Sequence, residues 1–202
     1  ICITLVLFGC KPEDGKPLER PWANPDVVGP YDVGLRTVYF KDPRGKSLVA
    51  DIWYPANVSE TDVLATYDPL NVTGRAYRNP DLDLSYGPHP VLAFSHGYIS
   101  IRFQSFYMME HLASHGFIIV SPDHPTNTLF DTDADNDAQM MLERPDDVRY
   151  AVDHLFSLSE QAGIFSESIK NTEYGVIGHS FGAVTAMRLG GAEVDWTYLR
   201  NH

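Results

Sequence analysis

Gly178-His179-Ser180-Phe181-Gly182 sets a serine between two glycines, with an apolar run, Tyr174-Gly175-Val176-Ile177, just before it. After it comes a small-residue segment, Ala183 to Leu189, that reads as a helix. This context predicts a strand that turns sharply into a helix with the serine at the apex. Gly178 and Gly182 then leave room where a Cβ would meet neighbouring backbone, and Ala183 suits the same crowding. A serine hydroxyl is a weak nucleophile near neutral pH, so it needs a base to take its proton and a carboxylate to orient that base. Attack on a carbonyl then builds negative charge on oxygen, which backbone N–H groups must stabilise. One donor is expected from Phe181, helped by the helix dipole. The second is expected from the loop after an earlier strand, where Ser95-His96-Gly97-Tyr98 offers the Tyr98 N–H.

The base and its acid are harder to place. After Ser180 the only acidic residues are Glu193 and Asp195, and the only histidine is His202. Asp195 arrives before any recognisable next strand, so both triad partners are expected beyond residue 202. The other histidines read as structural. His179 adjoins the serine and points away from it, and His96 is expected to brace the oxyanion loop. His111 and His115 have helical i, i+4 spacing but lack the glutamate of a zinc-protease motif, so packing or solvent is expected for both. Asp123 and His124 are expected to fix their loop. Asp131 to Asp137 imitates a calcium loop, but Asn136 stands where glycine is needed and Leu142 where glutamate is. A solvated acidic loop is expected there, with no metal and no cofactor.

The elements that must carry these residues follow from periodicity. Leu35 to Phe40 and Ser47 to Tyr54 are β-rich runs around a turn sequence, Lys41 to Lys46, and predict a hairpin. Residues 55–90 are polar, rich in Pro, Gly, Asn and Asp, and predict mostly loop. Beyond Pro90 strand and helix alternate. Val91 to Ser95 and Gly116 to Val120 are short apolar strands, and Phe103 to Ser114 is helix-like. Arg144 to Gln161 repeats Val148, Ala151, Val152, Leu155 and Phe156 on one helical face, with Pro145 in its first turn. The alternation argues for an α/β fold, a mainly parallel sheet with helices on both faces.

The chain has 202 residues with a formal net charge of -12, from 15 Lys+Arg against 27 Asp+Glu, which disfavours nucleic acid as a partner. Both cysteines, Cys2 and Cys10, lie in the opening segment ICITLVLFGC. Its apolar character gives way abruptly to a polar, proline-rich stretch. Residues 1–10 therefore read as the tail of an export signal, with Leu7-Phe8-Gly9-Cys10 resembling a bacterial lipobox. Membrane attachment is then expected only through a lipid on Cys10, at the periplasmic or cell surface. A plain signal segment or a buried N-terminal strand are the alternatives. Residues 11–30 predict a tether and 31–202 the first part of one domain, with later strands and helices missing. The oligomeric state is not legible.

PVLAFSHGY, HLASHGFIIVSPDHPTNT, RPDDVRYAVDHL and GHSFGAVTA resemble the dienelactone-hydrolase-like and platelet-activating-factor-acetylhydrolase-like branch of the α/β-hydrolases, over roughly residues 30 to 190. The resemblance implies an α/β-hydrolase fold and a cofactor-free carboxylic ester hydrolase acting on a small-molecule ester. It also implies an oxyanion hole from Tyr98 and Phe181 and a triad in the order Ser, Asp, His. Secreted polyester hydrolases share an aromatic at the position of Tyr98, where it lines the acyl site. A non-catalytic binding or scaffold protein on the same fold remains the alternative.

Overall fold

The computed structural model describes residues 3–6, 24–133, 135, 137–193, 195 and 197. The expected hairpin is β2 (Asp32–Lys41) and β3 (Ser47–Asn57), paired antiparallel from Asp32 opposite Ala56 to Lys41 opposite Ser47. Asp42 closes its turn, its carboxylate accepting the N–H groups of Arg44 and Lys46, each at 2.9 Å. Gly45 there has φ 89°, a conformation that costs least without a Cβ.

Residues 55–90 are not mostly loop. They hold β4 (Leu64–Tyr67), β5 (Val72–Arg78) and β6 (Asp81–Leu82). β4 and β5 form a hairpin at the far edge of the sheet, where outward positions stay polar and the apolar run is too short to register. What stabilises it is a tertiary contact. Glu110, buried on α1 (Phe106–Ser114), accepts the N–H groups of Arg75 and Ala76 and the Tyr67 hydroxyl at 2.9 to 3.1 Å. Tyr67 in turn accepts from the Trp53 indole at 2.8 Å.

The alternating half follows the expected order: β7 (His89–Ser95), α1, β8 (Ile118–Pro122), α2 (Asp137–Glu160), β9 (Ile169–His179) and α3 (Phe181–Leu189). With β1 (Ile3–Val6), antiparallel to β9, the sheet runs β1-β9-β7-β8-β3-β2-β5-β4, and β6 pairs with β3. Parallel pairing covers β9-β7-β8 and the β2–β5 contact. The other pairs are antiparallel, because the N-terminal half folds through hairpins and the C-terminal half through helical crossovers. Cys10, the expected lipidation site, lies outside the described residues, as does His202.

Both faces of the sheet are covered. Val91, Ala93, Ile118, Val120 and Val176 pack under Val148, Ala151, Val152 and Leu155 of α2 and Ala186 of α3. The alternate residues Leu92, Phe94, Ile119 and Ile177 pack with Met109 and Ala113 of α1 and with Trp53. The chain moves from β7 to β8 in one direction with α1 on one face, then from β8 back to β9 with α2 on the other. Right-handed crossovers require this arrangement. It leaves a crevice at the carboxyl ends of β7 and β9.

The helix α2 begins before Arg144, so Pro145 lies inside it rather than in its first turn. Proline has no N–H to give Met141 O, four residues back. Arg188 of α3 supplies the missing donor, its Nη1 reaching that carbonyl at 2.6 Å. The pairing of α3 with α2 thus repairs the interruption at Pro145, which the sequence pattern placed in the helix's first turn.

Candidate active site

Ser180 joins β9 to α3 with φ 52° and ψ -116°, a strained conformation for a residue with a side chain, and it is exposed. The turn is tight because its neighbours lack side chains. A Cβ on Gly178 would strike the backbone of Gly182 and Ala183, and one on Gly182 would strike the carbonyls of Ser95 and His96. Gly182 is therefore where the elbow helix touches the end of β7. Phe181 opens α3, so its N–H precedes the helix's own ladder.

Tyr98 lies on the loop after β7, 40% exposed, with its ring edge-on to Phe181 at 6.0 Å between centroids. The two residues expected to carry the oxyanion donors thus meet beside Ser180. Gly97 N–H is occupied: it donates to Gln104 Oε1 at 2.8 Å. Gln104 Nε2 donates to His179 Nδ1 at 2.7 Å, so His179 ties the elbow to this loop and has the structural role expected.

Beneath the loop runs a buried polar relay. Lys46 Nζ donates to Asp147 Oδ1 at 2.9 Å, and His124 Nδ1 donates to Asp147 Oδ2 at 3.1 Å. Ser95 Oγ donates to His124 Nε2 at 2.9 Å and accepts from Arg144 Nη2 at 3.2 Å. Serine, histidine and aspartate stand here in the order of a catalytic triad, but Ser95 and His124 have no exposure, so no substrate reaches them. Burial, followed by the charges of Arg144 and Lys46, holds the His124 imidazole well below its ordinary range. Burial and the neighbouring His124 do the same to His96. Both rings are neutral donors and acceptors. Burial raises Asp147 to about 6 against the attraction of Lys46, and lowers Arg144 to about 9.

The other histidines are engaged as well. His89 bonds the carbonyls of Gly116 and Asp83, and His154 stacks on Phe40 at 4.4 Å. His111 and His115 reach Pro25 O and Val27 O, fastening a stretch expected as tether to α1. Asp123 pairs with Arg102 at 2.8 Å and holds its loop as expected. Among the described residues no imidazole hydrogen-bonds Ser180. Asp131, Asp133 and Asp135 are exposed, and the Asp131 carboxylate accepts the Thr126 N–H.

Arg144, Asn127, Gln104 and Asp147 were not singled out by the sequence. One signal was present for Arg144: it stands four residues before Val148, on the buried face of α2.

A strained serine at a strand-to-helix turn, set at the carboxyl ends of a parallel core beside a loop from the neighbouring strand, defines an α/β-hydrolase. The chain belongs to the Chlorophyllase family, whose model matches residues 83–198. Among solved structures it is similar to the ferulic acid esterase from Streptomyces cinnamoneus, with a TM-score of 0.67 at 21% identity over 83% of this chain and 57% of that one. It is also similar to a dienelactone hydrolase-like promiscuous phosphotriesterase from metagenomic libraries, with a TM-score of 0.50 at 14% identity over 78% of this chain and 54% of that one. The chain thus spans just over half the length of these structures, and the likeness is one of fold. No curated protein sequence matches it.

Proposed function

We propose that the protein is a serine carboxylic ester hydrolase in which Ser180 forms an acyl-enzyme. The observation that carries this reading is the exposed Ser180 at φ 52°, held by glycines that admit no Cβ. The fold and the family match support it, and one of the similar structures is an esterase. In the proposed cycle Ser180 Oγ attacks the ester carbonyl while a histidine takes its proton. The oxyanion receives hydrogen bonds from Tyr98 N–H and Phe181 N–H, the alcohol leaves with the proton, and water repeats the sequence on the acyl-enzyme. In this reading the histidine and its carboxylate come from outside the described residues, because every described histidine is engaged elsewhere. The rings of Tyr98 and Phe181, in contact beside Ser180, suit an ester with an apolar acyl or alcohol group.

A non-catalytic binding protein on the same fold draws on one observation, the lack of an imidazole on Ser180 among the described residues. Hydrolysis separates the two readings. In the full-length protein, Ser180→Ala is expected to lower kcat for a short-chain activated ester by at least about 10³-fold. Retention of most of the rate removes Ser180 as nucleophile, and absence of hydrolysis in the wild type favours the binding protein.

A further inference from the structure

We infer that Arg144 is a positioning residue for the oxyanion hole, its buried guanidinium gripping the back of the Tyr98 loop while lying against Phe181. The inference rests on the esterase reading of Ser180. Arg144 comes from the first half of α2 and is almost fully enclosed. A cation gives up its water there, and only good hydrogen bonds compensate. Its Nη2 donates to His96 O and to Ser95 Oγ, and its Nη1 donates to Asn127 Oδ1 at 2.8 Å and reaches Gly97 O at 3.5 Å. Gly97 O also accepts from His96 Nδ1 at 2.8 Å.

That carbonyl shares one planar trans peptide with the Tyr98 N–H. Fixing the oxygen at the back therefore aims the N–H the opposite way at the front. Hydrogen bonds at the oxygen also polarise the peptide and make its N–H a stronger donor. On the other side, the guanidinium carbon stands 5.0 Å from the centroid of the Phe181 ring. One side chain thus ties together the two residues proposed to supply oxyanion donors. Asn127 extends the grip, since its Oδ1 accepts from Ile99 N as well, at 3.3 Å. The relay explains how Ser95 can join: its own proton goes to His124 Nε2, leaving its oxygen to accept from Arg144. Donors of this kind meet full charge only in the transition state, so the effect falls on kcat more than on KM.

The test uses the full-length protein and a short-chain activated ester. Arg144→Lys keeps the charge but cannot span the same acceptors. It is expected to lower kcat on the order of 10²-fold with KM within about 3-fold of wild type. The inhibition constant of a boronic acid, which mimics the tetrahedral adduct, is expected to rise by a similar factor. Asn127→Ala removes one acceptor of Arg144 and is expected to lower kcat about 10-fold, which keeps the test open if Arg144→Lys does not fold. Glu110→Gln, in α1 on the other face of the sheet, is the control: it is expected to lower the melting temperature and leave kcat unchanged. Wild-type kcat in folded Arg144→Lys and Asn127→Ala overturns the inference, as does an equal loss of kcat in Glu110→Gln. If Ser180→Ala abolishes hydrolysis in the same series, the esterase reading stands and only the positioning role fails.

Discussion

At the scale of the residue, the site is built from groups whose charge state burial decides. His96 and His124 are held neutral in the interior, first by desolvation and then by neighbouring groups, His124 and Arg144 for His96 and Arg144 and Lys46 for His124. An unfolded chain takes up protons on such imidazoles near a pH of about 6.5, and the folded chain does not. Their contribution to stability is therefore complete above that pH and is lost as pH falls below it. Asp147, raised to about 6, acts the other way. It keeps its proton to higher pH in the folded state and offsets part of the loss between about pH 4 and 6. Two imidazoles outweigh one carboxyl, so stability is expected to fall by roughly 1–2 kcal/mol between about pH 7.5 and 5.5. Urea unfolding midpoints read this directly, and His124→Gln is expected to flatten the dependence. A wild-type midpoint that holds steady or rises on acidification contradicts the assignment of neutral buried rings.

At the scale of the element, the elbow works because α3 presses directly on the end of β7. Gly182 is the contact, and an added Cβ there meets the carbonyls of Ser95 and His96, which are backbone and cannot rotate aside. Gly182→Ala is expected to cost about 3 kcal/mol, since relief requires α3 to shift from the sheet. Chemical denaturation checks it, and a wild-type midpoint would mean that the helix sits further from β7 than described. The shift also moves Phe181 relative to Tyr98, so activity is expected to fall with stability. The same two elements show what sequence reading could reach. The strand-to-helix turn at Ser180, the crowding at its glycines and the loop that carries Tyr98 were legible because each belongs to a local pattern of a few residues. The place of Arg144 was not, since its acceptors on the loop after β7 lie 47 and 48 residues away in the chain. Nothing local marks a guanidinium as the partner of a distant carbonyl. The strands in residues 55–90 were missed for a related reason: their stability comes from Glu110 on α1, not from their own alternation. Pro145 misled because its lost hydrogen bond is replaced from another helix.

At the scale of the whole molecule, a sheet with parallel strands at its centre and hairpins along one side brings the β7 loop and the β9 turn to a common edge. The fold class was legible from the alternation of apolar strands and helices after Pro90. The antiparallel share of the sheet was less so, because hairpin strands at an edge carry weak patterns. The central claim is that this edge holds an activated serine. Reaction of the full-length protein with a fluorophosphonate, followed by peptide mass mapping, tests it most directly. The account predicts a single adduct on Ser180, formed in step with the loss of ester hydrolysis. An enzyme that loses activity through an adduct on another residue, or that stays active with Ser180 fully modified, would contradict it.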